Sequence, residues 1–232
     1  MAVCLHLLHL LLLSCCLQPA VASPTAPWKP VPPCSAPPGI HAPAVSESMC
    51  SEVLAEQGGV TVRAMGLPAA ETLIAGSFWA SQWDVVIGYG VSSLIDYFEG
   101  DNTPQRKLLS ARTTPVTFRQ RSFPNGTVYE WRSAMMLSTS AFPATAGIPQ
   151  PVDPIQLEPV GSRLVAVVQF NSSGFPSEQD FAAACGSISP STLPRGYAVN
   201  ASSSWSPTYA LYSRESSRVF ENECWMEVSK LA

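Results

Sequence analysis

Hydrophobic residues recur at helical spacing from position 83 to position 98, the clearest periodic pattern in the chain. The apolar face comprises Trp83, Val86, Ile87, Gly90, Val91, Leu94, Ile95 and Phe98. Ser81 is placed to cap this helix, with Asp84 three residues later as in a capping box. Gly100 is suited to a left-handed cap at the other end. The pattern predicts an amphipathic helix from Trp83 to Phe98.

Shorter apolar runs on both sides of this helix predict strands. They cover residues 51–55, 60–74, 116–122, 128–137, 163–170, 209–212 and 224–228. The turn residues at 123–126 indicate a hairpin between the third and fourth runs. Residues 139–161 are rich in Pro, Ala and Gly, and they are interpreted as a long connection.

A second helix is predicted after Ser177, which can cap it with Asp180 at the third helical position. Phe181, Cys185 and Ile188 would share its apolar face. The order strand, helix, strand, strand therefore occurs twice. It predicts an α+β fold of two pseudo-symmetric βαββ units, whose strands form one curved sheet or barrel with both helices outside.

The N-terminal region indicates export. Residues 1–22 contain no Asp, Glu, Lys or Arg, Leu5 to Leu13 is almost continuously apolar, and Ala20-Val-Ala22 suits a signal peptidase. We interpret 1–22 as a signal peptide of a secreted protein, rather than an uncleaved anchor, because the apolar run is short for a membrane span. No later segment is apolar enough for stable membrane insertion. Residues 23–47 are interpreted as a Pro-rich leader and 48–232 as the folded domain.

Cysteines and glycosylation sequons agree with export. Cys34, Cys50, Cys185 and Cys224 remain after cleavage, and in an oxidising compartment they predict two disulfides of undetermined connectivity. The alternative for the third of these is a buried free thiol on the second helix. Asparagines of three sequons are candidate glycosylation sites, namely Asn125, Asn171 and Asn200.

Charge and residue types exclude several function classes. The net charge of −4 argues against a nucleic-acid partner, which requires a basic surface. Only one histidine, His41, follows the signal peptide, so neither a hydrolytic triad nor a zinc site is expected. Phosphate-binding glycine loops are also missing from the sequence. We therefore expect a protein without enzymatic activity.

Several short motifs, in order, resemble the SOUL haem-binding protein family. They are Val60-Thr-Val-Arg63 before a Gly-x-Pro bend, Trp83 to Tyr97-Phe-Glu-Gly-Asp-Asn102, Thr113-Thr-Pro-Val116, the strand Val165–Phe170 before Asn-Ser-Ser-Gly-Phe, and Asn222-Glu-Cys-Trp225. Together they span residues 50–228. The resemblance implies a distorted β-barrel flanked by two α-helices, which agrees with the layout above.

The resemblance also implies a ligand and a site. Family members bind haem or other porphyrins in a shallow apolar groove along the first helix and the loop before the last strand. By position, Gly88, Val91 and Ile95, with Ser92 beside them, would supply the helix face. The loop would contribute residues around Pro207 and Tyr209. Such a site buries a flat macrocycle against aliphatic side chains.

This chain departs from the family at the polar positions of the site. Gly88 replaces a basic residue, Tyr209 replaces a lysine, Ala64 replaces a histidine and Arg112 replaces a methionine. Binding of tetrapyrrole by apolar contact, without a strong axial ligand, is therefore expected as an alternative to iron ligation.

Other residues would have to supply any ligation. Tyr209, Tyr97 and Met65 are the candidates for iron, and Arg214 and Arg218 for the haem carboxylates.

Two hypotheses follow. The first is a secreted SOUL-type protein that binds a tetrapyrrole small molecule reversibly as a carrier or scavenger. The alternative is a SOUL-fold module that has lost haem binding and serves in protein interaction or binds another hydrophobic ligand. For Val91, Leu94 and Ile95, a role in the core alone is the competing interpretation, because a helix on a sheet must bury one face.

Overall fold

The structure is a computed structural model of the 232-residue chain. It describes residues 47–48, 51–65, 72–78, 82–108, 113–122, 125, 128–137, 147–159, 162–200, 207–212 and 220–231. Several predicted features lie outside these ranges. They are the signal peptide, most of the Pro-rich leader, the Gly-x-Pro bend within residues 66–71, Cys34, Cys50, Arg112, Arg214 and Arg218.

The described residues form two helices and fourteen strands. The helices are α1 (Trp83–Glu99) and α2 (Glu178–Gly186). The strands are β1 (Glu47–Ser48), β2 (Ser51–Gln57), β3 (Val60–Met65), β4 (Thr72–Phe78), β5 (Asn102–Thr103), β6 (Thr113–Thr114), β7 (Val116–Ser122), β8 (Val128–Met136), β9 (Gln150–Pro151), β10 (Ile155–Pro159), β11 (Arg163–Ser172), β12 (Tyr197–Val199), β13 (Thr208–Tyr212) and β14 (Phe220–Lys230). Neither helix has the length and hydropathy of a membrane span.

Helix α1 begins and ends by different means. Its N-cap is Gln82, not the predicted Ser81, and the Gln82 side chain makes no capping hydrogen bond. At the other end Gly100 has φ 123°, and its N–H donates to the carbonyls of Asp96 and Tyr97. Only glycine adopts this backbone region readily, so the predicted glycine cap is confirmed.

Helix α2 has the predicted capping box. The Ser177 hydroxyl accepts from the Asp180 N–H, and the Asp180 carboxylate accepts from the Ser177 N–H at 2.8 Å. The hydrogen bonds that the Ser177 N–H and hydroxyl donate to this carboxylate lower the pKa of Asp180 below its ordinary value. Phe181, Cys185 and Ile188 are buried, as the apolar pattern predicts.

Ten strands form one antiparallel sheet, in the order β10-β4-β8-β7-β13-β14-β11-β3-β2, with β12 also paired to β14. The strand–helix–strand–strand order appears in β4-α1-β7-β8 and again in β11-α2-β13-β14. In each unit the first strand pairs with the last, and β7 pairs with β13 where the units meet. Strand β3 extends the second unit and β10 extends the first.

The fold is thus α+β, but the predicted barrel closure does not appear. Strands β10 and β2 stand at opposite ends of the order, and within the described ranges no pairing joins them. The predicted long strand over residues 60–74 is also two strands, β3 and β4, because they pair with different partners. Strand β3 lies beside β11, whereas β4 lies beside β8 and β10.

The region predicted as a connection over residues 139–161 contains strand β10, which that interpretation missed. Ile155 is buried, and Leu157 packs on the same cluster beneath α1. Gln156 is exposed, and Glu158 is half-buried on the other face. The alternation was visible in the sequence, but the surrounding prolines favoured a loop.

Both helices pack on one face of the sheet around an aromatic cluster. The Trp83 ring lies 5.1 Å from Phe118 and 5.1 Å from Trp131, and 5.7 Å from Phe181 of α2. The opposite face, which we call the helix-free face, has its own buried cluster. It contains Met65, Ala134, Met136, Val165, Val167, Ala210, Tyr212 and Trp225. The central strands are therefore buried on both faces.

One disulfide joins α2 to this sheet. Cys185 and Cys224 are bonded, with their Cα atoms 5.4 Å apart. This pairing answers the question of connectivity for these two cysteines and excludes the free-thiol alternative for Cys185. It fastens α2 to the central strand β14 across 39 residues of sequence.

Candidate functional site

The outward flank of α1 carries apolar side chains that the core does not bury. Tyr89 is 66% exposed and Val85 is 36% exposed. Val91 and Ile95 are half-buried, and Gly88 is exposed. Spacings of three and four residues place these positions on adjoining turns of one side of the helix. We call this surface, composed of Val85, Gly88, Tyr89, Val91 and Ile95, the helix stripe.

Gly88 leaves space on the helix stripe. A Cβ atom added at this position would meet nothing within 4 Å. Glycine in the middle of a helix costs roughly 1 kcal/mol relative to alanine, so packing does not explain its presence here. The missing side chain at Gly88 leaves a low, flat area of the helix surface between larger apolar side chains.

The core interpretation of this helix holds for Leu94 and in part for Val91. Leu94 is fully buried, whereas Val91 packs against the aromatic cluster around Trp83 and remains partly exposed. Ile95 is also partly exposed. The structure therefore brings together three predicted site residues, Gly88, Val91 and Ile95, on one partly accessible flank.

Tyr209 lies away from that flank, in the core. Its side chain is 3% exposed, and its ring stacks on Phe181 at 4.6 Å and meets Trp83 edge-on at 5.6 Å. Burial, with a smaller effect from Glu178, raises the pKa of Tyr209 to about 12. The phenol therefore stays protonated at neutral pH, and its placement suits packing rather than ligand contact.

The other two residues considered as iron ligands are also buried. The Tyr97 hydroxyl donates to the Pro149 carbonyl at 2.8 Å, and burial raises the pKa of Tyr97 to about 12. Met65 is buried on the helix-free face. Within the described ranges there is no histidine, and no group of three or more metal-ligating side chains occurs there.

Tyr89 is the site residue that sequence reasoning missed. It is the most exposed large hydrophobic residue among those described, and it is adjacent to Gly88 on the helix stripe. The sequence carried a signal for it: an aromatic residue falls outside the apolar face of the predicted helix. Its ring offers a stacking surface, and its hydroxyl offers an oxygen ligand.

The helix-free face contains a second polar feature, centred on Glu223. One carboxylate oxygen accepts from Arg63 at 2.8 Å and Gln169 at 2.9 Å. The other accepts from Tyr212 at 3.1 Å and Trp225 at 2.7 Å. The Glu223 side chain is fully buried, so four donors replace its water shell. This saturated carboxylate acts as a structural ion-pair partner and not as an open ligand site.

The pKa values of two arginines near this network are lowered. Burial and, to a smaller extent, the neighbouring Arg119 cation lower the pKa of Arg163 to about 9, while Glu227 acts in the opposite direction. Arg163 lies 3.7 Å from the Glu227 carboxylate and 5.8 Å above the Trp225 ring. Burial also lowers the pKa of Arg119. The Arg163 guanidinium stays protonated at neutral pH, and it pairs with the Glu227 carboxylate on this face.

Two of the three predicted glycosylation sites are exposed, and the third is half-buried. Asn125 is exposed between β7 and β8, and Asn171 is exposed near the end of β11. Asn200 is half-buried directly after β12, where its N–H donates to the Glu227 carbonyl.

The described residues thus define an α+β protein with one large antiparallel sheet and an exposed apolar helix flank. No protein-family model matches the sequence, and no curated protein matches it. Among solved structures, the chain is similar to the crystallised EcmrR C-terminal domain, with a TM-score of 0.50 at 9% sequence identity. This match covers 74% of the chain and 98% of that domain. It describes a shared fold alone.

A second similar structure is EcmrR in a cryo-EM complex with DNA, with a TM-score of 0.49 at 9% identity. The match covers 74% of this chain and 57% of that longer chain. At this score the likeness carries no argument about the present protein.

Proposed function

We propose that this protein binds a tetrapyrrole, such as haem or another porphyrin, reversibly on the helix stripe, as a SOUL-type carrier or scavenger. One observation carries the proposal: apolar side chains on α1 remain exposed around Gly88, where an added Cβ would meet nothing. A flat macrocycle can cover such an area and remove it from water. Each Å² of apolar surface so buried contributes roughly 25 cal/mol.

The residues present fit the macrocycle better than they fit its iron. Val85, Val91 and Ile95 supply aliphatic contact, and the Tyr89 ring can stack on the porphyrin plane. A stacked Tyr89 ring would not ligate iron, because its hydroxyl lies in the ring plane; only a ring turned across the porphyrin would present that oxygen to iron. We therefore infer a binding role without catalysis, in which apolar contact dominates the affinity.

A hemin titration followed by the Soret absorbance tests this proposal. Wild-type protein should saturate at one hemin per chain. Val91→Glu should weaken binding by about tenfold or more, because a carboxylate would be buried against the ring. Val53→Glu is the matched control. Val53 is 50% exposed on β2, at the opposite end of the sheet from β10, β4 and β8, on which α1 packs. This variant should bind hemin like wild type.

Absence of saturable binding to wild-type protein would overturn the tetrapyrrole proposal. It would favour the second candidate, a SOUL-fold interaction module, in which the exposed Tyr89 and Val85 contact a protein partner or another hydrophobic ligand. Equal weakening by both substitutions would mean that the helix stripe is not the binding surface.

We also propose that the protein is secreted and N-glycosylated. The Cys185–Cys224 disulfide supports this, because such bonds persist in oxidising compartments. Expression in mammalian cells should release a chain that begins at Ser23 and loses mass on treatment with an N-glycosidase. A chain retained in cells with residues 1–22 attached would contradict it. The Asn171→Gln variant should lose one glycan, because Asn171 is exposed.

A further inference from the structure

A groove of about 630 Å³ is lined mainly by residues that follow α2 in the chain, and it includes no residue of the helix stripe. It is formed by the segment from Pro190 to Val199 together with Gln57 at the end of β2 and Leu231 after β14. This volume falls within the range of small-molecule sites, about 300–1,000 Å³. None of its lining residues belongs to α1.

The walls of the groove are mostly apolar. Leu193 and Pro194 are buried at its base, and Tyr197 and Val199 are half-buried beside them. Leu231 is 56% exposed at the rim. Apolar side chains arranged around a concavity favour a hydrophobic ligand, because the ligand removes their surface from water.

The backbone around the groove is fixed by hydrogen bonds. Strand β12 pairs with β14, and the Leu231 N–H donates to the Gly196 carbonyl at 2.8 Å. The Leu193 N–H donates to the Ser189 carbonyl at 2.9 Å. The groove therefore exists before any ligand arrives, which reduces the free-energy cost of ordering on binding.

The polar groups of the groove define the other end of the ligand. Arg195 is exposed and forms no ion pair with any residue in the described ranges. The Tyr197 hydroxyl and the Gln57 amide likewise make no side-chain hydrogen bond there. A guanidinium presents paired N–H donors that match a carboxylate. One cation beside an apolar wall complements an amphipathic anion.

We propose that this groove binds an amphipathic carboxylate, with its aliphatic tail against Tyr197, Val199 and Leu231 and its carboxylate on Arg195. The site is separate from the proposed tetrapyrrole surface and does not depend on it.

Calorimetric titration of the intact mature protein with octanoate tests the proposal, with octanol as the neutral probe of the same tail. Octanoate should bind at one site per chain and more tightly than octanol. Arg195→Gln should weaken octanoate binding by about tenfold or more and leave octanol binding unchanged, because a charge-assisted contact is lost. Lys107→Gln, which removes an exposed cation elsewhere, should have no effect.

Two further variants fix the location of binding. Leu231→Glu places a carboxylate at the exposed rim and should weaken octanoate binding with little cost to folding, because Leu231 is 56% exposed. Gly88→Glu, at an exposed position of the helix stripe, should leave octanoate binding unchanged. The proposal is overturned by weak, non-saturating heats, by equal affinities of wild type and Arg195→Gln, or by loss of octanoate binding in Gly88→Glu.

Discussion

Glu223 shows at the scale of one residue how the sheet accommodates a carboxylate in its interior. Four donors from Arg63, Gln169, Tyr212 and Trp225 surround it. Breaking a buried ion pair from one side leaves an uncompensated charge, and this costs far more than the intact pair contributes. The network therefore specifies how β3, β11, β13 and β14 meet.

We expect Glu223→Gln to lower the free energy of unfolding by about 3 kcal/mol, because the Arg63 cation would remain buried without its counterion. Urea denaturation at neutral pH measures this. Glu56→Gln on the exposed strand β2 is the control and should change stability by less than about 0.5 kcal/mol. A loss below about 1 kcal/mol for the Glu223 variant would contradict the structural role assigned to this network.

The tyrosines show where residue-level prediction succeeds and where it stops. Helical periodicity predicted the buried face of α1, and the same wheel leaves Tyr89 outside it. Tyr209 lies in strand β13, where residues 209–212 were predicted to form a strand, but its side chain is buried in the core and not at the site that the family resemblance implies. A strand covered on both faces has no polar alternation, so the sequence did not reveal which way Tyr209 points.

At the scale of elements, local rules predicted two helix caps, placed the N-cap of α1 at Ser81 instead of Gln82, and missed an edge strand. The Ser177 capping box and the Gly100 cap depend on residues close in sequence, so their patterns were sufficient. Strand β10 owes its existence to pairing with β4, which is about 80 positions away and is not visible locally. The same limit explains why β3 and β4 were predicted as one strand.

Ser177→Ala should lower the free energy of unfolding by about 1 kcal/mol at neutral pH, through loss of the N-cap hydroxyl. Hydrogen bonds from Ser177 depress the pKa of Asp180, so its contribution is present above the ordinary aspartate pKa and lost as pH falls through the depressed value. The difference between the variant and wild type should therefore shrink in strong acid. Denaturation curves across pH measure this.

The control for the cap is Ser92→Ala in the exposed middle of α1, which should be neutral or slightly stabilising because alanine favours helix. A Ser177→Ala penalty that stays constant down to strong acid would contradict the role assigned to the Asp180 carboxylate.

At the scale of the whole molecule, the sequence predicted the α+β class and the repeated order of elements but not the shape of the sheet. Strand β11 of the second unit pairs with β3, which comes from the first half of the chain. Strand β4 of the first unit pairs with β10, which comes from the second half of the chain. Closure into a barrel depends on whether the two end strands meet, and no local pattern reports that.

The proposed function of the whole molecule requires that a flat macrocycle binds the helix stripe mainly through apolar contact. The most direct test compares the affinities of hemin and iron-free protoporphyrin IX, followed by tryptophan fluorescence quenching. The affinities should lie within about tenfold, because no strong iron ligand is required. Gly88→Glu should weaken both, while Ala183→Glu, an exposed small-to-Glu change on α2, should weaken neither. Failure of both porphyrins to bind wild type, or binding equal in Gly88→Glu and wild type, would contradict the account.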